Sequence, residues 1–398
     1  MSGAVLITGG AGFIGSHLAD ALLQRGRKVR VLDNLDSQVH GEARRRPDYL
    51  DADVELVGGD IRDADAVKRA LDGVDTVFHL AACVGVGQSM YDVARYTDVN
   101  NRGTAVLLQA LIEHPVERLV VASSMSIYGE GLYRAADGTV TPGTERSLEQ
   151  LRNHRWELEE CSGRLQPADS HADRLQPADS AAGRLKPAPT PLTPVATPEW
   201  KPPSLASVYA LSKFDQERLC ILIGRAYGIP TVALRFFNVY GTRQALSNPY
   251  TGVLAIFASR LLNNRSPLVN EDGRQRRDFV SVLDVAQACV LAMEKAPEVS
   301  GEVFNVGSGR NYTVLEVARK LAEVLGKKIA PEITETYRVG DIRHCFADIS
   351  HARELLGYEP KVDFEDGILR LAQWLEGQIA VDRVAQAAAE LSARGLTV

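Results

Sequence analysis

Short apolar runs alternate with amphipathic stretches along the first part of the chain. Residues Ala4–Thr8 make an apolar run of strand length, after which Ser16, His17, Leu18, Ala21 and Leu22 recur with helical spacing. Further apolar runs fall at Val29–Asp33, 54–57, 75–82 and 119–123. Helical patterns lie between them at 64–71 and 91–113, and Arg44, Arg45 and Arg46 mark a solvated stretch. Strand and helix in regular alternation predict a parallel sheet covered by helices on both faces.

The pattern breaks over residues 131–203, which are polar and poor in apolar periodicity. A ten-residue repeat runs through this stretch. Arg-Leu-Gln-Pro-Ala-Asp-Ser begins at Arg164 and again at Arg174, and a diverged copy begins at Arg184. Nine of the 18 prolines fall between Pro167 and Pro203. A ten-residue period matches neither solenoid units nor heptads, so a mobile surface insertion without a core is expected. Periodicity resumes at Ser204. A helix over 206–226 and a sixth strand over 231–236 rejoin the first fold. Helices over 253–262, 282–296, 314–325 and 368–380, with a short strand at 303–306, are expected to form a smaller second domain facing it. The expected organisation is a first fold from 1–130 and 204–240, an insertion at 131–203, and a mainly substrate-binding domain at 241–398.

Composition narrows the class. Hydrophobic residues make up 45% and charged residues 24%, as in soluble globular proteins. The net charge is −6 and the isoelectric point about 5.8. That argues against a nucleic-acid surface or a polybasic membrane surface. No apolar run reaches spanning length, and the first strand leaves no room for a signal peptide, so a cytoplasmic protein is expected. The five cysteines include no Cys-x-x-Cys pair, which predicts reduced thiols.

The turn after the first strand holds Gly9, Gly10, Gly12 and Gly15. A strand feeding a glycine-rich turn and a helix N-terminus suits a pyrophosphate, because free N–H groups and the helix dipole favour the anion. An acidic residue about 20 residues further on completes the dinucleotide pattern. Asp33 ends the second strand, where its carboxylate can hold both ribose hydroxyls and repel a 2′-phosphate. Asn34, Leu35 and Asp36 follow with no basic residue, which favours NAD over NADP. Asp60, after the third strand, is placed to meet the adenine edge.

Tyr209 and Lys213 are four apart and share a helix face. A nearby ammonium stabilises a phenolate, so the Tyr209 pKa is expected to fall from about 10 towards neutral. Such a phenolate can take a proton from a sugar hydroxyl while hydride leaves the same carbon. Ser124 ends the fifth strand, where ligands bind in open α/β sheets, and its hydroxyl can relay that proton to Tyr209. Ser123 and Ser126 are expected to position it.

With these anchors in place, the chain resembles the extended short-chain dehydrogenase/reductase superfamily, and within it the nucleotide-sugar epimerases. The likeness covers nearly everything except about 131–203. It is carried also by Asn100-Asn101-Arg102-Gly103-Thr104, Leu234-Arg235-Phe236-Phe237-Asn238-Val239-Tyr240-Gly241, Arg277-Asp278-Phe279-Val280 and Tyr337-Arg338-Val339-Gly340-Asp341. The resemblance implies a Rossmann-type doubly wound fold with a smaller C-terminal α/β substrate domain. It implies an NAD retained through turnover, lined by Gly9, Gly12, Phe13, Ile14, Gly15, Asp33, Asn34, Asp60, Ile61, Leu80, Ala81, Ala82, Asn100, Tyr209 and Lys213. It also implies a nucleoside-diphosphate sugar held by Asn238, Arg277, Arg338 and Asp341, beside Ser124, Ser126 and Tyr209. A homodimer packed through helices 91–113 and 206–226 is implied too.

The same resemblance suggests the reaction. Related 4,6-dehydratases carry Asp-Glu directly after the serine/threonine position, and uronate decarboxylases a Glu two residues after it. Met125 and Ser126 stand here, and neither is a general acid or base. Inversion at C4 needs none: transient oxidation, rotation of the 4-keto sugar and re-reduction suffice. The stretches 84–91, 125–131 and 243–252 look most like dTDP-L-rhamnose 4-epimerases, which interconvert dTDP-rhamnose and dTDP-6-deoxy-talose. UDP-glucose/galactose or uronate 4-epimerases are the alternative, followed by a net reductase or dehydrogenase and a non-catalytic NAD-binding regulator. Members of the rhamnose subgroup tend to carry cysteine pairs in their insertion. This chain keeps only Cys161 there, so no metal is expected. The position of Cys345, which limits room around the sugar in UDP-galactose epimerases, implies a roomy site.

Overall fold

The computed structural model describes residues 3–159, 192–250 and 252–398. Seven parallel strands form the main sheet. Across it, hydrogen-bonded neighbours run Val303–Val306, Thr231–Phe236, Arg118–Ser124, Val74–His79, Ala4–Thr8, Val29–Asp33 and Glu55–Gly58. The expected doubly wound α/β fold is therefore present. Successive side chains of a strand point to opposite faces, and both faces here are apolar. Val5, Ile7, Val31, Phe78 and Val120 pack on one side with Leu18, Val285 and Cys289. Leu6, Leu32, Val77, Leu119 and Val121 pack on the other with Val67, Leu107, Leu111 and Ile221. A separate core around Phe257, Leu261, Phe279, Leu321 and Ile368 holds the second lobe together.

Two expectations need correction. Val303–Val306 is no part of the second lobe. It pairs with Thr231–Phe236 as an edge strand of the main sheet, and the helix Val282–Lys295 packs on Phe13–Leu23. The chain thus returns to the first fold after entering the second. The expected helix over 91–113 is present as one uninterrupted run from Val93 to Glu113 with a π-helical turn, Thr97–Arg102, inside it. Much of the stretch 131–203 is packed rather than loose. Leu132–Arg134 is flanked by the antiparallel strands Val140–Pro142 and Thr193–Val195, with Tyr133 fully buried. Residues 160–191, which contain the repeat and Cys161, lie outside the described residues.

Charge rather than apolar periodicity anchors this segment. Arg146 donates to both carboxylate oxygens of Glu271 at 3.0 Å, and the Arg343 guanidinium reaches Glu157, Glu271 and Asp272 at 2.5–2.8 Å. His344 approaches Glu157 at 2.9 Å, and Glu130 accepts from the Arg343 and His344 backbone N–H groups. The Leu192 N–H donates to the Leu158 carbonyl at 2.9 Å, joining the two sides of the segment at its neck.

His79 ties the sheet to its helices. Its ring meets Thr8 Oγ1 at 2.8 Å, Thr104 Oγ1 at 2.9 Å and Gln216 Nε2 at 3.2 Å. Burial lowers its pKa from 6.5 to about 3. The unfolded chain therefore takes up this proton first as pH falls. Stability is fully present above about pH 6.5 and declines as pH falls towards 3. The unfolding midpoint of the wild type should drop more steeply between pH 6.5 and 4 than that of His79→Gln; parallel pH profiles would refute this. Among the described residues, no helix is long and apolar enough to cross a membrane.

Candidate active site

A cavity of about 890 Å³ runs along the C-terminal ends of the main strands and into the second lobe. Its first wall is the glycine turn. Gly9 has φ +68°, and a Cβ added there would lie 2.9 Å from the Ala81 Cα, so the turn packs directly on the exit of the fourth strand. Gly12 precedes the helix Phe13–Leu23 and supplies no side-chain cap. The N–H groups of the first helical turn are left for an acceptor in the cavity. Asp33 stands at the end of its strand, with Oδ2 accepting from Ala11 N at 3.0 Å and Oδ1 from Leu35 N at 2.8 Å. Burial pushes its carboxyl up, and the Leu35 N–H draws it back. Phe13, Ile14, Gly15, Asn34, Ile61, Leu80, Ala81 and Ala82 also line this end. An uncapped helix start, a carboxylate on the neighbouring strand and an apolar slot between them fit a dinucleotide.

Two expected wall residues stand elsewhere. Asp60 is held by the Arg62 guanidinium and by Asn34 Nδ2 at 3.0 Å, and these bonds keep its carboxyl well below the usual range. Gly59, Ile61 and Arg62 line the cavity in its place. Asn100 is fully buried behind the wall, accepting from Cys83 N at 2.7 Å and donating to Ser212 Oγ at 2.9 Å. Both brace the residues that face the ligand space.

At the middle of the cavity, Ser124 ends its strand and caps the turn Met125–Tyr128, accepting from Ser126 N at 3.2 Å. Ser126 Oγ lies 3.1 Å from Ser124 Oγ. Ser123 points away, donating to buried Glu217 at 2.6 Å. Tyr209 opens the helix Val208–Tyr227, which Ser207 caps, and its N–H donates to Ser89 Oγ at 3.0 Å. Burial raises the pKa of the Tyr209 phenol, and the nearby Ser124 hydroxyl pulls the other way. The expected depression by Lys213 is therefore not found. Lys213 Nζ donates to Gln216 Oε1 at 2.7 Å, and its own burial lowers its pKa to about 8.

The second lobe supplies the far wall. Asn238 lines it, and its buried Oδ1 has no hydrogen-bond partner among the described residues. Arg277 donates to the backbone carbonyls of Arg276, Ile342 and Arg343. Arg338 holds Asp341 Oδ1 at 2.7 and 3.0 Å. All four expected residues face the same space. Cys345 does not: it is buried, with its Sγ 3.8 Å from Thr197 Oγ1.

The model of the NAD-dependent epimerase/dehydratase family matches residues 5–150 and 180–307. The chain belongs to that family. It is 35% identical over 380 residues to a dTDP-L-rhamnose 4-epimerase of Burkholderia thailandensis, covering 94% of this chain and 95% of the relative. It is 30% identical to a putative UDP-glucose 4-epimerase of Methanocaldococcus jannaschii, covering 94% and 98%. A crystal structure of UDP-glucose 4-epimerase from Thermotoga maritima, determined with UDP-glucose, superposes with a TM-score of 0.72 at 30% identity, covering 94% of this chain and 98% of that one.

Some residues around this epimerase/dehydratase cavity escape the sequence reading. Gln244, Asn248, Tyr250 and Gln275 line it, as does a C-terminal helix, Val384–Ala393. The helix left a signal in the spacing of Val384, Ala387 and Leu391, which places three apolar residues on one face. Gln275 left none, since a glutamine beside arginines reads as solvated.

Proposed function

We propose that the chain is an NAD-dependent nucleotide-sugar 4-epimerase acting on dTDP-L-rhamnose and dTDP-6-deoxy-L-talose. One observation carries the reaction type: the Ser124–Tyr209 pair meets the cavity without a carboxylate beside it. Among the described residues, the carboxylates on the cavity wall are Asp33, Asp36, Glu271 and Asp341. Asp33 accepts from the Ala11 and Leu35 N–H groups, Asp36 pairs with Arg95 at 3.0 Å, Glu271 with Arg146, and Asp341 with Arg338. A dehydration needs a further acid and base at the sugar; inversion at C4 needs one proton acceptor that returns what it takes.

Bound NAD supplies the oxidant for C4 and then the reductant. Tyr209 accepts the O4 proton and gives it back, and Ser124 holds O4 in line with the phenol. Lys213, on the same helix face, keeps a positive charge near the site below about pH 8. Asn238, Arg277 and Arg338 hold the diphosphate, for which a guanidinium fork is suited. The first of the relatives above supports the rhamnose substrate. The solved UDP-glucose relative favours a UDP-sugar as the second reading. Exposed Leu211 and Leu222 on the Val208–Tyr227 helix support a homodimer through that face.

The purified chain, given no added cofactor, is tested by NMR on dTDP-L-rhamnose, UDP-glucose and UDP-glucuronate. Inversion at C4, fastest with dTDP-L-rhamnose, is the expected outcome. Turnover only with added NAD(P)H, or none with any nucleotide sugar, would overturn the 4-epimerase. Faster inversion of a UDP-sugar would move the substrate to the second reading.

A further inference from the structure

The C-terminal segment forms part of the cavity wall. On the helix Val384–Ala393, Ala387 and Leu391 are buried and line the cavity. A Cβ built on Gly87 would lie 3.2 Å from Arg338 Cδ and 3.4 Å from both Leu391 methyls, so these side chains converge on one point. Gly87 belongs to the short helix Val86–Ser89, and Ser89 Oγ accepts the Tyr209 N–H. The C-terminal helix therefore stands beside Arg338, against the short helix whose Ser89 receives the Tyr209 N–H.

Polar contacts fasten it there. Glu390 Oε2 accepts from the Tyr250 hydroxyl at 2.9 Å and from the Tyr91 hydroxyl at 3.1 Å. Arg394 lies over the Tyr91 ring at 4.4 Å. Beyond the helix, Tyr337 and Val398 exchange two backbone hydrogen bonds of 2.8 Å, and Val339 N donates to Leu396 O at 3.0 Å. These bonds fall on either side of Arg338. The segment thus offers an apolar face to the cavity and fixes the backbone that carries a cavity arginine.

We propose that residues 381–398 are a substrate-contacting wall that sets affinity for the nucleotide sugar, with Ala387 and Leu391 touching it and the tail holding Arg338 towards it. This rests on the 4-epimerase reading. None of these contacts reaches the glycine turn or Asp33, so cofactor retention is separate. Two variants test it: a chain ending at Ala380, and a full-length Ala387→Leu that narrows the cavity without removing a fastening. For each, the NAD content of the purified protein, the KM for dTDP-L-rhamnose and the affinity for dTDP by calorimetry are measured. Both variants should keep their NAD and show a KM raised at least about tenfold, with kcat changed less than about threefold. The truncated chain should also bind dTDP at least about tenfold more weakly. A KM within twofold of the wild type in Ala387→Leu, or loss of NAD together with substrate binding in both variants, would overturn the wall. Calorimetry separates the two levels. A wild type that binds dTDP but inverts no sugar sinks the 4-epimerase, while weaker dTDP binding by its truncated form still upholds the wall.

Discussion

Tyr209→Phe is expected to lower kcat by about 10²- to 10⁴-fold, the range for losing a positioned acid–base group, while NAD stays bound. The substitution removes one oxygen and keeps the ring. The backbone bond to Ser89 and the edge contact with Tyr96, at 6.4 Å between ring centres, do not depend on that oxygen. The fold around the site should therefore survive. What disappears is the phenol oxygen, which shares the cavity with Ser124. KM should move little, because the diphosphate contacts proposed for Asn238, Arg277 and Arg338 do not involve the phenol oxygen. A kcat within fivefold of the wild type would remove Tyr209 from the chemistry, whatever its position.

Arg343→Met should cost about 3–5 kcal/mol of stability, measured by urea unfolding, as when one partner of a buried ion pair is removed. The Arg343 side chain is fully buried and reaches three carboxylates. Glu271 is nearly as buried, and without Arg343 its charge keeps only Arg146. The loss comes mainly from stranding that carboxylate. Arg343→Met combined with Glu271→Gln should therefore recover part of it, a coupling expected of residues in direct contact. A single variant as stable as the wild type would show that the network contributes nothing to the fold.

What could be read in the sequence was local. The glycine turn, Asp33, Ser124 and the Tyr209/Lys213 pair are each defined by spacing within one strand, turn or helix, and the fold brings them to one cavity. The readings that changed depended on which partner each group meets in the fold. Asp60 and Asn100 are bonded to Arg62 and Ser212, pairings that neither residue type announces. Val303–Val306 is too short to state which sheet it joins; only its pairing with Thr231–Phe236 does so. Arg146, Glu157, Glu271 and Arg343 look like solvated charges because a sequence does not reveal that such groups neutralise one another in an interior. Tyr209 shows the same limit. The spacing to Lys213 was correct, but the side-chain direction sends the ammonium to Gln216.

The hydrogen bond between Leu192 and Leu158 bears on how this chain can vary between relatives. It holds Leu158 and Leu192 side by side, so the packing of the residues on either flank does not depend on how many residues join them. Repeat copies can therefore be gained or lost between these residues without moving either flank. The anchors at Glu157 and Thr197 shield the cavity from such drift. Copy number at this neck should diverge faster than any other length in the chain.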